Sequence, residues 1–151
     1  MMQASVRKGE KSDISGALKL IKELAEYERQ ADAVICTEES MLKDGFGENP
    51  LFEFFVAEHE TEIVGIALYY YKYSTWKGKC LFLEDIVISE QHRQKGIGSQ
   101  LFLRVMELAK SQNLARMEWQ VLDWNESAIE FYKKHKAIID DEWLNVKYEW
   151  R

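Results

Sequence analysis

The spacing of apolar positions changes along the chain between a helical and a strand-like period. Residues 14–25 repeat apolar side chains every three or four positions, which predicts an amphipathic helix that Ser12 and Asp13 can cap. Thr37 can cap a second, shorter helix at residues 38–43, ended by the turn pair that follows. The pattern of residues 51–58 and 62–73 predicts two strands with a short polar link between them, and therefore a hairpin.

The second half of the chain continues this alternation. A third strand is predicted at residues 80–88, a helix at 99–112 and another strand at 115–122. Because a helix separates these two strands, we expect them to be parallel, which makes the sheet mixed and the fold class α+β. Asn125 can cap a last helix at residues 126–134, and two closing strands are predicted at 137–140 and 142–150. With 151 residues, the chain is expected to form one domain over residues 1–151.

Composition narrows the classes of function. The net charge of −6 argues against a nucleic-acid partner, because phosphate binding needs a basic surface. The longest nearly charge-free run, residues 63–71, is shorter than the roughly 20 residues that span a bilayer, so we expect no membrane partner. Residues 1–10 lack the apolar segment of a signal peptide. We interpret Cys36 and Cys80 as reduced, packed thiols, which favours a cytoplasmic protein, and the three histidines lack metal-ligand spacing, so no metal is expected.

Two carboxylates interrupt the apolar strand of residues 80–88. The period of two sends Glu84 to one face of this strand and Asp85 to the other. Burial of an unpaired carboxylate is costly, so each requires a partner, water or a bulge. One or both can lie on a solvated face. Alternatively, a carboxylate held on a rigid strand can accept a proton in a cleft.

A basic turn with two glycines follows this strand and precedes a helix. Gly96 and Gly98 allow a ligand to approach the backbone, whose N–H groups attract anions together with the helix dipole. Arg93 and Lys95 add positive charge, so the turn suits a pyrophosphate. A plain connection between strand and helix is the alternative. The spacing matches neither the three-glycine dinucleotide motif nor the phosphate-binding loop that ends in Gly-Lys-Ser/Thr.

The last predicted helix carries two further candidates. Asn125 can act as a helix cap, as a ligand-binding residue, or as both. Tyr132 shares a helical face with Ala128 and Ile129 and can be an ordinary packed tyrosine. Alternatively, its phenol can donate a proton to a thiolate leaving group.

These residues resemble the GCN5-related N-acetyltransferase (GNAT) superfamily. The element formed by Arg93, Gly96 and Gly98 is similar to the superfamily's acetyl-CoA pyrophosphate motif. A narrower resemblance, to the spermidine/spermine (diamine) and thialysine acetyltransferases, covers residues 14–134. It rests on the strings Leu20-Ile21-Lys22-Glu23-Leu24-Ala25, Tyr27-Glu28, Asp44-Gly45-Phe46-Gly47-Glu48, Tyr69-Tyr70, Trp76, Leu83-Glu84-Asp85, Trp124-Asn125-Glu126 and Phe131-Tyr132-Lys133.

The resemblance implies the GNAT fold, a mostly antiparallel mixed sheet that is flanked by about four helices and splayed between its fourth and fifth strands. Acetyl-CoA is the implied co-substrate in that splay. Tyr132 is implied to protonate the departing thiolate and Glu84 to accept the amine proton through water. The implied contacts to the amine come from Tyr27, Glu28, Glu84 and Asp85. Those to acetyl-CoA come from Ile86, Val87, Ile88, Arg93, Gln94, Lys95, Gly96, Ile97, Gly98, Ser99, Asn125 and Tyr132.

The function implied by the resemblance is acetyl transfer to a primary amine of a small cationic acceptor by direct attack in a ternary complex. The acceptor is expected to be a polyamine such as spermidine or spermine, or the lysine-like thialysine. Such an amine is protonated at neutral pH, so a carboxylate that accepts its proton fits the chemistry. The alternatives are an aminoglycoside, an amino acid or a protein amine as acceptor, or a non-catalytic acyl-CoA-binding module. The resemblance also implies a homodimer, for which Trp143, Val146, Tyr148 and Trp150 offer apolar surface.

Two positions depart from the family pattern. Gln94 stands where the family usually has glycine, and it would be strained if φ there is positive. Lys136 replaces the glycine that commonly follows the last helix, which removes a favourable left-handed cap at a cost of about 1 kcal/mol.

Overall fold

The computed structural model describes residues 3–151 of the chain, which divides into two compact units, Met1–Gln120 and Val121–Arg151. The second unit contains one helix, α4 (Glu126–Lys134). The first unit contains the remaining elements, which in chain order are β1 (Ser5–Lys8), α1 (Ile14–Tyr27), α2 (Glu38–Phe46), β2 (Glu53–His59), β3 (Glu62–Ser74), β4 (Gly78–Ile88), α3 (Ile97–Ser111) and β5 (Met117–Glu118).

The five strands form one open sheet in the order β1-β2-β3-β4-β5. Strands β1 to β4 pair with one another in antiparallel fashion. Strand β5 is parallel to β4, which confirms the predicted mixed sheet and its crossover. The parallel pairing covers only Leu81 and Phe82 of β4, opposite Met117 and Glu118. The rest of β4 continues without β5 beside it, so the sheet is open there.

The two faces of the sheet pack against different helices. Ile66 and Leu68 of β3 belong to the core that includes α1, together with Val87 of β4. The alternate residues of β3 face α3. A Cβ added to Gly65 would lie 3.0 Å from the Cδ1 atom of Leu101 in α3 and 2.7 Å from that of Ile88 in β4, so the close packing of strand and helix at this point favours glycine.

An ion pair between half-buried Arg7 and buried Asp13 lies at the beginning of α1. Asp13 precedes the helix, but its carboxylate does not cap it. It accepts bonds of 2.8 and 3.0 Å from Arg7 and one of 2.7 Å from the Glu10 N–H. Arg7 also donates to Glu58 at 3.0 Å. The guanidinium hydrogen bonds are the main reason that the pKa of Asp13 lies below its ordinary value.

Several local predictions need correction. Thr37 caps α2 as predicted, but the helix runs through the Asp44 and Gly45 turn pair and ends at Phe46. Gly45 serves packing there and not a turn, since a Cβ would lie 2.5 Å from the Phe52 ring. The strand predicted at residues 115–122 is reduced to the two residues of β5. Of the two cysteines, Cys80 is buried as expected, whereas Cys36 is exposed.

The two closing strands are a wrong prediction. Residues 137–151 have no regular secondary structure in the part of the chain that the structure describes. The side chains still alternate with a period of two. The ring centres of Tyr148 and Trp150 lie 6.1 Å apart, and the intervening residues Lys147 and Glu149 form an ion pair. A strand also needs a hydrogen-bonded neighbour, which an amphipathic pattern cannot supply alone.

Candidate active site

A β-bulge interrupts β4 at its two carboxylates. Tyr69 of β3 lies opposite Leu83, whereas the preceding residue, Leu68, lies opposite Asp85. Glu84 is therefore the extra residue on β4, with no partner of its own on β3. A bulge of this kind breaks the two-residue alternation of side chains.

The bulge places both carboxylates on the same face of the sheet, which corrects the prediction that they face opposite ways. Directly opposed residues share a face, so Asp85 lies on the face of Leu68, and Phe82 on that of Tyr70 two residues further along β3. Glu84 reaches the same face, because the Tyr70 hydroxyl donates a hydrogen bond of 3.2 Å to its Oε2 atom. The period-two rule failed because the sequence does not show the extra residue.

The carboxylates on this face repel one another. Burial is the main cause that raises the pKa of Asp85 to about 6, with contributions from the charges of Glu84 and Glu28. Desolvation also raises the pKa of Glu28, which directly follows α1. Within residues 3–151, no lysine or arginine forms an ion pair with Asp85 or Glu28. The carbonyl end of α1 adds partial negative charge, so this face favours a cation.

The turn from β4 to α3 has the conformation of an anion-binding loop. Gly96, the residue before α3, has φ 83°, which glycine adopts without strain. The first helical bond runs from the Gln100 N–H to the Gly96 carbonyl at 3.1 Å, so the N–H groups of residues 97–99 have no acceptor within the helix. A Cβ on Gly98 would meet Ile88 at an ordinary 3.7 Å, so packing alone does not require glycine there.

The basic side chains of this turn bind to protein groups in the structure. Arg93 donates from Nε to the Ile88 carbonyl at 3.1 Å, and its guanidinium lies 5.2 Å from the centre of the Tyr27 ring. Lys95 donates from Nζ to the Gln91 carbonyl at 3.1 Å. Arg93 thus connects the loop to the end of α1, where two of the predicted amine-binding residues lie.

Gln94 occupies the left-handed region with φ 62°, so the strained backbone expected at this position is confirmed. Ile86, Val87 and Ile88 belong to the part of β4 beyond its pairing with β5. Their main-chain atoms lie on the edge that the resemblance assigns to acetyl-CoA.

The second unit carries the other two predicted site residues. Asn125 caps α4, since its Oδ1 atom accepts from the Ala128 N–H at 3.3 Å, which confirms the cap. Tyr132 is buried, with its ring edge-on to that of Phe131 at 5.5 Å. Lys136 follows the helix at φ 62°, and its backbone N–H donates to the Lys133 carbonyl at 2.9 Å, so the left-handed cap that was expected to be lost is kept with lysine in place of glycine, which corrects the prediction.

Sequence reasoning assigned no role to Tyr70, which the structure places in direct contact with Glu84. The signals in the sequence were the Tyr69-Tyr70 string of the family resemblance and the position of Tyr70 in a strand predicted to neighbour that of Glu84. Among the described residues, the structure shows no group of three metal-ligating side chains and no helix long and apolar enough to cross a membrane.

Comparison with known proteins gives consistent matches. The model of the Acetyltransferase (GNAT) family matches residues 17–136. A thialysine N-epsilon-acetyltransferase from Bos taurus is 40% identical over 136 residues, which cover 85% of this chain and 80% of that protein. Spermidine/spermine N(1)-acetyltransferase-like protein 1 from Homo sapiens is 36% identical over 88% of this chain but only 20% of its own length.

Among solved structures, an aminoglycoside acetyltransferase from an uncultured soil metagenomic sample superposes with a TM-score of 0.80. The match covers 98% of this chain and 97% of that one, at 17% sequence identity. At this identity the likeness supports the fold alone.

Proposed function

The chain belongs to the acetyltransferase (GNAT) family and is an acetyltransferase, and from that membership we propose that it acetylates a primary amine of a small polycationic or lysine-like acceptor. Enzymes of this family use acetyl-CoA as co-substrate. The proposed acceptors are a polyamine such as spermidine or spermine, and thialysine. The names of the similar proteins from Bos taurus and Homo sapiens support this choice.

The observation that carries the proposal is the face shared by Glu84, Asp85 and Glu28. Asp85 is buried under the influence of the charges of Glu84 and Glu28, and among residues 3–151 no lysine or arginine forms an ion pair with Asp85 or Glu28; this is unfavourable in the free protein and favourable beside a cationic ligand. A polyamine has charges left after one nitrogen is deprotonated for attack, and Asp85 and Glu28 would bind these remaining charges. Tyr27, at the end of the helix that precedes Glu28, would contact the acceptor beside the Arg93 guanidinium that already lies over its ring.

The residues of the β4–α3 turn fit the anionic part of acetyl-CoA. We assign the pyrophosphate to the N–H groups of residues 97–99, with Gly96 and Gly98 allowing close approach. Arg93, Gln94 and Lys95, in the loop just before α3, and Ser99, in its first turn, are proposed to contact the same pyrophosphate. Ile86, Val87 and Ile88 would hold the pantetheine arm through their main chain. In the second unit, Asn125 is proposed to contact the same arm and Tyr132 to act on the thiol, as the resemblance implies.

The chemistry needs two proton transfers. Glu84 is exposed on a rigid strand, so it would accept the amine proton through water and leave a neutral nucleophile. Acetyl-CoA supplies the activated acetyl group. Tyr132 would donate a proton to the departing thiolate, which needs only modest acid assistance.

We also propose that residues 1–151 act as one domain and assemble as a homodimer. The family match at residues 17–136 spans parts of both compact units, which supports a single domain. Leu144, Val146, Tyr148 and Trp150 leave 84–91% of their surface exposed, an apolar stripe that a second copy would cover. The molecular mass in solution of a Val146→Lys variant, which should become monomeric, tests this against Lys147→Glu as control.

The experiment is thiol release from acetyl-CoA with spermidine, spermine, putrescine, lysine, thialysine and an aminoglycoside. We expect turnover on polyamines or thialysine that falls steeply in Glu84→Gln. In Tyr132→Phe turnover should fall while calorimetry still detects acetyl-CoA binding. Glu62→Gln, an exposed change at the start of β3, is the matched control. Turnover on the aminoglycoside alone would refute the proposed acceptor, and lack of turnover on every amine with acetyl-CoA still bound would favour a binding module.

A further inference from the structure

Tyr70 links the two central strands at the candidate proton acceptor. Its hydroxyl donates to Oε2 of Glu84 at 3.2 Å, and its ring stacks on Phe82 at 5.3 Å with 30° between the planes. Phe82 lies directly opposite Tyr70 across the strand pair. The stacked ring fixes where the hydroxyl points, so the hydrogen bond requires little ordering when it forms.

We propose that Tyr70 is a positioning residue that holds the Glu84 carboxylate in its ionised form and in a fixed orientation. This inference rests on the proposed function, in which Glu84 accepts the amine proton. The hydrogen bond can form only because the bulge brings Glu84 to the face of Tyr70. An extra residue on a strand has no opposed side chain to hold it, and Tyr70 supplies that contact from the neighbouring strand.

Glu84 lies in an acidic part of this face. Asp85 is its neighbour there, and the charges of Glu84 and Glu28 both act on Asp85. The nearby cation on β3 is Lys72, whose Nζ lies over the Phe82 ring. It forms its ion pair with Glu118 of β5 and not with Glu84. A hydroxyl that donates to the ionised carboxylate stabilises the form able to accept a proton. Tyr70 itself is a poor acid here, because burial and the charge of Glu84 raise its pKa to about 12.

Tyr70→Phe removes the hydroxyl and keeps the stacked ring. We expect about a tenfold fall in kcat/KM, the weaker end of the range for hydrogen bonds to charged groups, because this one lies at an exposed site. The acid side of the pH profile should move to higher pH, because the ionised carboxylate loses its donor. Tyr71→Phe is the matched control, since Tyr71 lies on the opposite face, where its ring contacts Lys79. In a Glu84→Gln background, Tyr70→Phe should change the remaining rate by less than about twofold.

A direct readout separates this inference from the proposed function. The side-chain carboxyl signal of Glu84, identified by its loss in Glu84→Gln, is titrated by carbon NMR in each variant. The same titration midpoint in Tyr70→Phe and parent, or an equal change in Tyr71→Phe, would overturn the role of Tyr70. A midpoint that rises only in Tyr70→Phe, together with full turnover in Glu84→Gln, would keep that role and refute Glu84 as the proton acceptor.

Discussion

Asp85→Asn is expected to stabilise the protein above pH 6 and to weaken its binding of a cationic amine. The reason is electrostatic. Burial raises the pKa of Asp85 from its ordinary 3.8 to about 6, and the neighbouring charges of Glu84 and Glu28 add to this effect. The folded protein therefore prefers the protonated carboxyl, whereas the unfolded chain does not. Asparagine occupies nearly the same volume and cannot ionise.

The sign and size of the effect follow from proton linkage. Between about pH 4 and 6 the folded state holds more protons at Asp85 than the unfolded state, so parental stability falls as the pH rises and stays reduced above 6. A difference of about two pH units, at 1.36 kcal/mol each, sets an upper limit of about 3 kcal/mol. Because Asp85 keeps some contact with solvent, we expect a gain of about 1–3 kcal/mol at pH 7.5 and almost none at pH 4.

Urea unfolding of the parent and of Asp85→Asn at intervals from pH 4 to 8 measures this difference. Glu62→Gln should change the free energy of unfolding by less than about 0.5 kcal/mol throughout. A gain of equal size at pH 4 and pH 8 would mean that a neutral packing effect is responsible. If the gain at pH 8 is absent, Asp85 does not carry an unfavourable charge and the acidic face is not poised for a cation.

Three other predictions concern the loop, the ion pair and the last helix. Gly98→Ala should raise the free energy of unfolding by about 0.5–1 kcal/mol, because Ile88 leaves room for the Cβ and alanine favours a helix. Calorimetry should show at least about tenfold weaker acetyl-CoA binding to this variant, and unchanged affinity would contradict the assignment of the pyrophosphate to the loop. Asp13→Asn should lower the free energy of unfolding by about 2–4 kcal/mol at pH 7, because it leaves Arg7 without its main partner. This loss should shrink as the pH falls below about 4, since the lowered pKa of Asp13 stabilises the fold only above that range. Lys136→Gly should stabilise the protein by about 0.5–1 kcal/mol in thermal unfolding, through relief of the left-handed backbone; a destabilised variant would contradict the cap.

Much of the fold could be predicted because its signals are local. The apolar period placed α1 and α3, and the capping side chains of Thr37 and Asn125 placed the beginnings of α2 and α4. The crossover from β4 to β5 followed from a helix between two strands. The short β5 and the unpaired residues 137–151 could not be predicted, because strand length depends on how far a neighbouring strand stays within hydrogen-bonding distance.

The candidate site divides in the same way. The positive φ of Gln94 and Lys136 could be anticipated from glycines expected at those positions. The common face of Glu84 and Asp85 could not, because a bulge depends on the register between strands, and register is decided by tertiary packing on both faces. Tyr70 was missed for the same reason, since its contact with Glu84 exists only when the register has shifted.

The bulge also explains why a costly arrangement can persist in this fold. Regular pairing would have sent Asp85 to the opposite face from Glu84, and the mutual repulsion of the two charges would have been smaller. With the extra residue, the free protein holds an ionised Asp85 beside other carboxylates and is less stable for it. A bound polycation reverses the sign of that interaction, because each carboxylate then faces a positive charge. If the proposed function holds, the energy lost in the free enzyme is regained only with a ligand of opposite charge, so the same geometry would destabilise the empty site and select a cationic amine.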